Sequence, residues 1–223
     1  MFQELITDKR ICLVAKARPP LKKLELMGFM GRYPEIHGAL KLLLQACQST
    51  LEELTFGAWS LELEDTGIVE VLRRCPEITQ LNINGLQVSN VFGRYSDDHS
   101  VLLNLKTLKV RGTEIDDNEM AMIGTRCRNL RYLDIGDCKK VTDKGVMEVV
   151  RNCQRLRDII LDDCDKVSSC TLPLILLLSR PSLRNIDPPC IDDLNKRLIN
   201  LFLSFNCRVG DSSMSDDFNC LLH

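Results

Sequence analysis

Val141–Leu161, VTDKGVMEVVRNCQRLRDIIL, joins two different hydrophobic rhythms end to end. Val146, Val149 and Val150 recur at i, i+3 and i+4, the spacing of one helix face. Leu156, Ile159 and Leu161 then follow at the spacing of a short strand whose alternate side chains turn inward. Thr142 and Asp143 stand ahead of the helix as candidate caps for its free N–H groups, and Asn152 and Cys153 end it. The stretch is therefore one helix feeding one strand.

The unit repeats. The strand triplet occurs at Leu21–Leu24–Leu26, Leu51–Leu54–Phe56, Ile78–Leu81–Ile83, Leu105–Leu108–Val110, Leu130–Leu133–Ile135 and Leu156–Ile159–Leu161, with a weaker copy at Leu183–Ile186. Intervals between middle residues are 30, 27, 27, 25, 26 and 27. The helix grammar recurs at Leu63–Ile83 (Asp65, Gly67, Ile68, Val71, Leu72, Cys75) and at Ile115–Ile135 (Asp117, Met120, Ile123, Cys127). In these copies an aspartate precedes the strand's first apolar residue by 13 positions: 65 to 78, 117 to 130 and 143 to 156. An L-x-x-L-x-L core at this period reads as a leucine-rich repeat with one strand and one helix per unit. Such a unit cannot bury its own apolar flank, so stacked copies build an open scaffold. The expected fold is an α/β solenoid, a horseshoe of about six to seven repeats with parallel strands on the concave face and helices on the convex face.

The 11 cysteines follow the same period. Cys75, Cys127 and Cys153 lie three residues before a strand triplet and Cys47 lies four before; Cys138 and Cys164 lie three residues after one. An odd count, no C-x-x-C pair and an opening MFQELITDKR without the pattern of a secretory signal argue against a disulfide framework. Periodic placement instead predicts small, buried side chains at the helix ends and in the turns after strands. Reduced thiols imply cytoplasm or nucleus.

The combined pattern D-x-G-φ-x-x-φ-φ-x-x-C-x-x-L-x-x-L-x-φ-x-x-C, carried by Cys127, Cys138, Cys153 and Cys164 in consecutive units, resembles the cysteine-containing subtype of leucine-rich repeat. That subtype is best known from F-box/leucine-rich-repeat proteins, the substrate receptors of SCF ubiquitin ligases. The resemblance covers roughly residues 6–188. It implies a non-catalytic module that holds a target protein for ubiquitin-dependent degradation. The runner-up is a free-standing leucine-rich-repeat binding or regulatory protein without ligase contact. An F-box needs about 45 residues ahead of the repeats, whereas Ile6–Lys9 already match Val141–Lys144 and Asp8 precedes Leu21 by 13. The expectation is a chain that starts inside a repeat and represents the C-terminal part of a longer design. A Skp-type adaptor and cullin are then partners only if an F-box lies outside this chain. Domain boundaries on this reading are a solenoid over 1–190, a capping helix over 191–206 built on Leu194, Leu198, Leu201, Phe202 and Phe205, and a polar flexible tail over 207–223.

With the leucines turned inward, the residues flanking them line the concave face, where a substrate or regulatory protein is expected to bind. The candidates are Lys23, Glu25, Glu53, Gln80, Asn82, Lys109, Arg111, Tyr132, Asp134, Asp158 and Asp162: mixed at first, basic at Lys109 and Arg111, acidic from Asp134 onward. A basic segment on the partner would suit that acidic run; a solvated face without a partner is the alternative. Gly85–Asn104 breaks the repeat and brings Phe92, Arg94, Tyr95 and His99 close together, either as a recognition loop or as a degenerate repeat. Trp59 is either a rim anchor or packing in a turn.

Other classes draw little support. Lys plus Arg number 29 against 31 Asp plus Glu, a net charge of −2, which points to neither nucleic acid nor membrane. Leu172–Leu178 (LPLILLL), the longest apolar run, is too short for a bilayer and reads as a buried helix. None of the three histidines (His37, His99, His223) sits in a nucleophile or metal motif, and Gly28–Gly31 lacks the residues of a phosphate loop. Lys106, Lys109 and Arg111 are a thin basis for an inositol-phosphate site. No catalytic residue, metal or cofactor is expected.

Overall fold

Apart from the step from β3 to β4, where no helix is described, helix and strand alternate along the chain in the computed structural model, which describes residues 8–26, 42–56, 65–93, 103–179, 181–190 and 194–210. The order is α1 (Asp8–Ala17), β1 (Lys23–Leu26), α2 (residues 42–47), β2 (Glu53–Phe56), α3 (Asp65–Arg74), β3 (Gln80–Asn82), β4 (Thr107–Lys109), α4 (Asp117–Arg126), β5 (Tyr132–Asp134), α5 (Asp143–Asn152), β6 (Asp158–Ile160), α6 (Leu172–Leu178), β7 (Asn185–Asp187), α7 (Lys196–Ser204) and β8 (Arg208–Val209). The strands form one open, wholly parallel sheet in chain order. The register stacks Leu24, Leu54, Leu81, Leu108, Leu133, Ile159, Ile186 and Val209 in a single column. This is the expected α/β leucine-rich-repeat solenoid.

That column faces the helices. Leu54, Leu81, Leu108, Leu133, Ile159 and Ile186 are buried against Ile68, Val71, Leu72, Met120, Ile123, Val146, Val149 and Val150 in one continuous core. Each such leucine contributes about 1.5–3 kcal/mol by leaving water. The turns after β3, β4, β5 and β6 use left-handed backbone at one repeat position, occupied by Gly85, Gly112, Asp137 and Asp163 (φ 70, 65, 57 and 58°). Glycine adopts that region freely and aspartate tolerates it better than most residues.

The periodic cysteines are packing residues, whereas Cys170 and Cys190 are exposed. Cys47, Cys75, Cys127 and Cys153 are buried at the helix ends, and their carbonyls accept the N–H of Leu51, Ile78, Leu130 and Leu156. After the strands, the Cys138 thiol donates to the Val110 carbonyl (3.2 Å) and the Cys164 thiol to the Ile135 carbonyl (3.1 Å). Each thus spans two repeats. Burial pushes the Cys75 thiol up to about 11 and those of Cys153, Cys164 and Cys207 up to about 12, so they stay protonated at neutral pH.

Capping follows expectation in part: Thr142, one of the two candidates, caps α5, whereas Asp143 does not cap its own helix, and α4 is capped by Asp116, accepting from Asn118 and Glu119 N–H, rather than by Asp117. Asp117 reaches the next repeat instead. Its carboxylate accepts from Thr142 N–H (2.8 Å), the Thr142 hydroxyl (2.6 Å) and Gly145 N–H (3.1 Å). Asp143 likewise accepts from Ser168 N–H at 2.8 Å. The fixed place of the aspartate within the period thus serves stacking between units.

Three further expectations change. Leu172–Leu178 is a helix, but it buries only Leu172, Ile175 and Leu176, while Leu174 and Leu177 are 50% and 60% exposed. Beyond residue 207 the chain does not start as a tail: Arg208–Val209 add an eighth strand parallel to β7, with Ile186 beside Val209. Residues 194–210 thereby repeat the helix–strand unit, with Phe202 and Cys207 buried; the rest of the expected tail, 211–223, lies outside the described residues. Phe92, a candidate for recognition, is fully buried together with Leu86, Val88 and Val91. The buried carboxylate of Glu119 holds that turn by accepting from Phe92 N–H (2.8 Å) and Gly93 N–H (2.7 Å). This half of the irregular segment is core; Arg94, Tyr95, His99 and Trp59 lie outside the described residues.

Ser179 occupies the helix-end position that Cys47 holds in its own repeat, and its buried hydroxyl has no hydrogen-bond partner among the described residues. Ser179→Cys should therefore stabilise the chain by about 0.5–2 kcal/mol, read as a higher urea midpoint. Asp117→Ala should cost about 1–3 kcal/mol in the same assay, and Asp143→Ala, which loses one acceptor contact rather than three, distinctly less.

Candidate functional site

The face of the sheet opposite the helices carries three columns of side chains, fixed by the strand register. The first runs Lys23, Glu53, Gln80, Thr107, Tyr132, Asp158, Asn185 and Arg208; the second runs Glu25, Thr55, Asn82, Lys109, Asp134, Ile160 and Asp187. The third, in the turns after the strands, includes Asn84, Arg111, Gly136 and Asp162. All eleven face residues anticipated from the pattern fall on these columns, so the expected positions come together on one surface.

Their chemistry differs from a simple division into basic and acidic zones. The Arg111 guanidinium crosses two strands to reach Asp162 in a two-pronged contact, Nη1 to Oδ2 at 2.7 Å and Nη2 to Oδ1 at 2.5 Å. Its Nε also lies 3.3 Å from Asp134. Gly136 makes that crossing possible, because a Cβ there would sit 2.5 Å from the Arg111 Cζ. Asn84 fixes the Arg111 backbone by accepting its N–H at 2.9 Å, and Asp134 accepts Gly136 N–H at 3.1 Å. The hydrogen bond to Asp162, offset in part by burial and reinforced by Asp134, raises the guanidinium pKa further, so the cation is permanent. Asp134 is buried, whereas Asp162 stays partly open. The acidic run is thus partly neutralised by the arginine beside it.

The remaining polar groups pair sideways. Lys109 Nζ stands 5.3 Å from the centre of the Tyr132 ring, a cation–π contact. Burial, then Asp134, Asp187 and Asp158, pushes the Tyr132 phenol up to about 12, leaving it a neutral donor. At the N-terminal end Lys23 pairs with Glu25 (2.8 Å) and Gln80 donates to Glu53 (2.7 Å). At the other end the Asn185 amide donates to Asp158, and Arg208 Nε donates to Asn185 at 2.8 Å. The surface is pre-ordered and polar, with Tyr132 and Ile160 as its apolar elements. Ordered side chains lose little freedom on binding, which suits recognition. Among the described residues no three histidine, cysteine or carboxylate side chains converge as a metal site, and no helix is long and apolar enough to cross a membrane.

Comparison with known proteins agrees with this architecture. A family model described as a leucine-rich repeat matches residues 126–150, which span most of α5 and the end of α4. Among solved structures the chain is similar to a chain of the yeast Rad7–Elc1 complex, with a TM-score of 0.67 and 14% identity over 96% of this chain. The match covers 64% of that chain, so this sequence spans slightly under two thirds of its length.

The Arg111–Asp162 contact depends on an empty position at residue 136. Gly136→Ala should displace the flexible guanidinium while leaving the fold within about 1 kcal/mol of wild type. A double-mutant cycle on Arg111→Met and Asp162→Asn, measured by urea unfolding, should give a coupling of about 0.5–1 kcal/mol in the native chain and none once Gly136→Ala is also present. The protein folds as a leucine-rich-repeat solenoid.

Proposed function

We propose that this chain is a protein-recognition module of the cysteine-containing leucine-rich-repeat subtype, acting as the target-binding part of a ubiquitin-ligase receptor. The observation that carries the reading is the pre-ordered open face of the sheet, centred on Lys109, Tyr132 and the Arg111–Asp134–Asp162 group. Such a face offers donors, acceptors and an aromatic ring, all held by the scaffold, and it presents no activated nucleophile among the described residues. The ligase association is supported by the periodic cysteines and by the likeness to a chain solved in the Rad7–Elc1 complex. In that complex the similar fold stands beside a second protein. Tyr132 would anchor the target, and Asp158 and Asp162 would pair with its donors. The setting would be cytoplasm or nucleus.

Affinity capture with the full chain tests both layers. A target protein should be recovered by wild type and lost with Tyr132→Ala/Lys109→Ala, at an unchanged unfolding midpoint. Recovery that ignores this double variant would overturn the site. A Skp-type adaptor and cullin should not co-purify with the 223-residue chain alone, and should do so once an F-box is fused ahead of it. A target bound by the open face with no ligase subunits in either form would favour the free-standing regulatory reading.

A further inference from the structure

Lys106, Arg131, Arg157 and Arg184 occupy one repeat position, the residue just before each of β4, β5, β6 and β7. The sheet's hydrogen bonds continue through them: Arg131 N–H donates to the Lys106 carbonyl (2.8 Å), Arg157 N–H to that of Arg131 (2.8 Å), and Arg184 N–H to that of Arg157 (2.7 Å). The four residues therefore stack as adjacent rungs, about 4.8 Å apart and about 14 Å end to end. All four are exposed. Among the described residues none of their side chains forms a salt bridge or hydrogen bond. Arg128 and Arg155, exposed in the loops alongside, add to the same edge.

The opposite edge of the sheet, after the strands, is built differently. There Lys139 pairs with Asp137 (2.9 Å) and Asp165 (3.1 Å), and Lys140 pairs with Glu114 (2.8 Å). At the start of the solenoid the equivalent of Lys106 is Lys22, which pairs with Glu52 at 2.8 Å. Lys16, Lys144 and Lys166 also form no salt bridge among the described residues, but they lie apart; the row from Lys106 to Arg184 is distinguished by placing its cations on consecutive rungs. Four like charges on neighbouring rungs repel one another, and among the described residues no carboxylate pairs with them.

We propose that this row is a second docking surface, which binds an acidic segment of a protein partner in extended form. It is independent of the open-face site and would persist if that reading failed. Charge complementarity sets the sign of the ligand, and guanidinium groups match carboxylates by two parallel hydrogen bonds. A peptide is favoured over nucleic acid on two grounds. Sequence-tolerant binding of a single strand uses aromatic stacking platforms, and the described aromatic residue beside the row, Tyr132, is turned to the open face, with Lys109 over its ring. A duplex would overhang the narrow edge and meet the carboxylates of Asp158 and Asp187 on the adjoining face.

The test uses the full chain and a fluorescein-labelled Asp/Glu-rich peptide of about 12 residues, followed by fluorescence anisotropy at low salt. Arg131→Glu/Arg157→Glu/Arg184→Glu should weaken binding at least tenfold. Lys16→Glu/Lys144→Glu/Lys166→Glu, with the same change in net charge elsewhere on the surface, should stay within twofold of wild type. The single variants Arg131→Gln and Arg157→Gln should each weaken binding severalfold, which decides the matter even if the triple variant unfolds. Affinity should also fall as salt is added. Equal losses in the two triple variants, or no binding of the peptide by wild type, would overturn the proposal. So would a single-stranded oligonucleotide of similar length that binds as tightly as the peptide and responds to the same substitutions.

Discussion

Every repeat in this chain has an apolar flank that only its neighbour can cover. The column from Leu24 to Val209 buries itself one rung at a time, and the core is a line of nearest-neighbour contacts rather than a centre. Helices and strands this short would be marginal alone. What makes them stable is stacking, so the devices that enforce stacking matter most. Asp117 and Asp143 are such devices, since each commits its carboxylate to the helix start of the following unit. The thiols of Cys138 and Cys164 do the same at the turn, by donating one repeat back.

Strict register has a consequence for charge. Any residue type repeated at one position becomes a row of like neighbours at strand spacing. The chain resolves this in two ways. Across the third column it alternates partners, with Arg111 reaching over Gly136 to Asp162, so that repulsion becomes a bridge. Ahead of the strands it leaves Lys106, Arg131, Arg157 and Arg184 unrelieved. The same geometric constraint thus yields a self-satisfied face and an unsatisfied edge.

Much of this is legible in the sequence, because period and register are properties of spacing. The leucine triplets place each strand from β1 to β7, and the cysteines declare themselves as packing by recurring with them. What spacing does not reveal is the identity of partners. Asp117 and Asp143, 13 residues ahead of a strand's first apolar residue, look like caps for their own helices, yet stacking brings the next helix start within reach. Phe92 sits in a stretch with no period, and only the buried Glu119 carboxylate beneath it shows why that turn is core. β8 lacks the leading leucine of the triplet, and Val209 follows Ile186 by fewer residues than separate the other units, so the pattern reads as tail. Lys109 and Arg111 emerge from position, but their pairing with Tyr132 and the aspartates follows from side-chain reach across strands.

The basic edge is hidden by averaging. A net charge of −2 describes the whole molecule, whereas a partner meets one side of it. In a solenoid the two loop edges are separate surfaces, one gathering the residues before the strands and the other those after them. Segregating charge between them costs the fold some self-repulsion, which one compensating glutamate per repeat would remove, as Glu52 does for Lys22. A row that keeps its repulsion through four consecutive repeats gains from any acidic ligand both new contacts and the relief of its own repulsion. The open face lacks that second contribution, because its charges are already paired, and the edge is therefore the more strongly salt-dependent of the two surfaces.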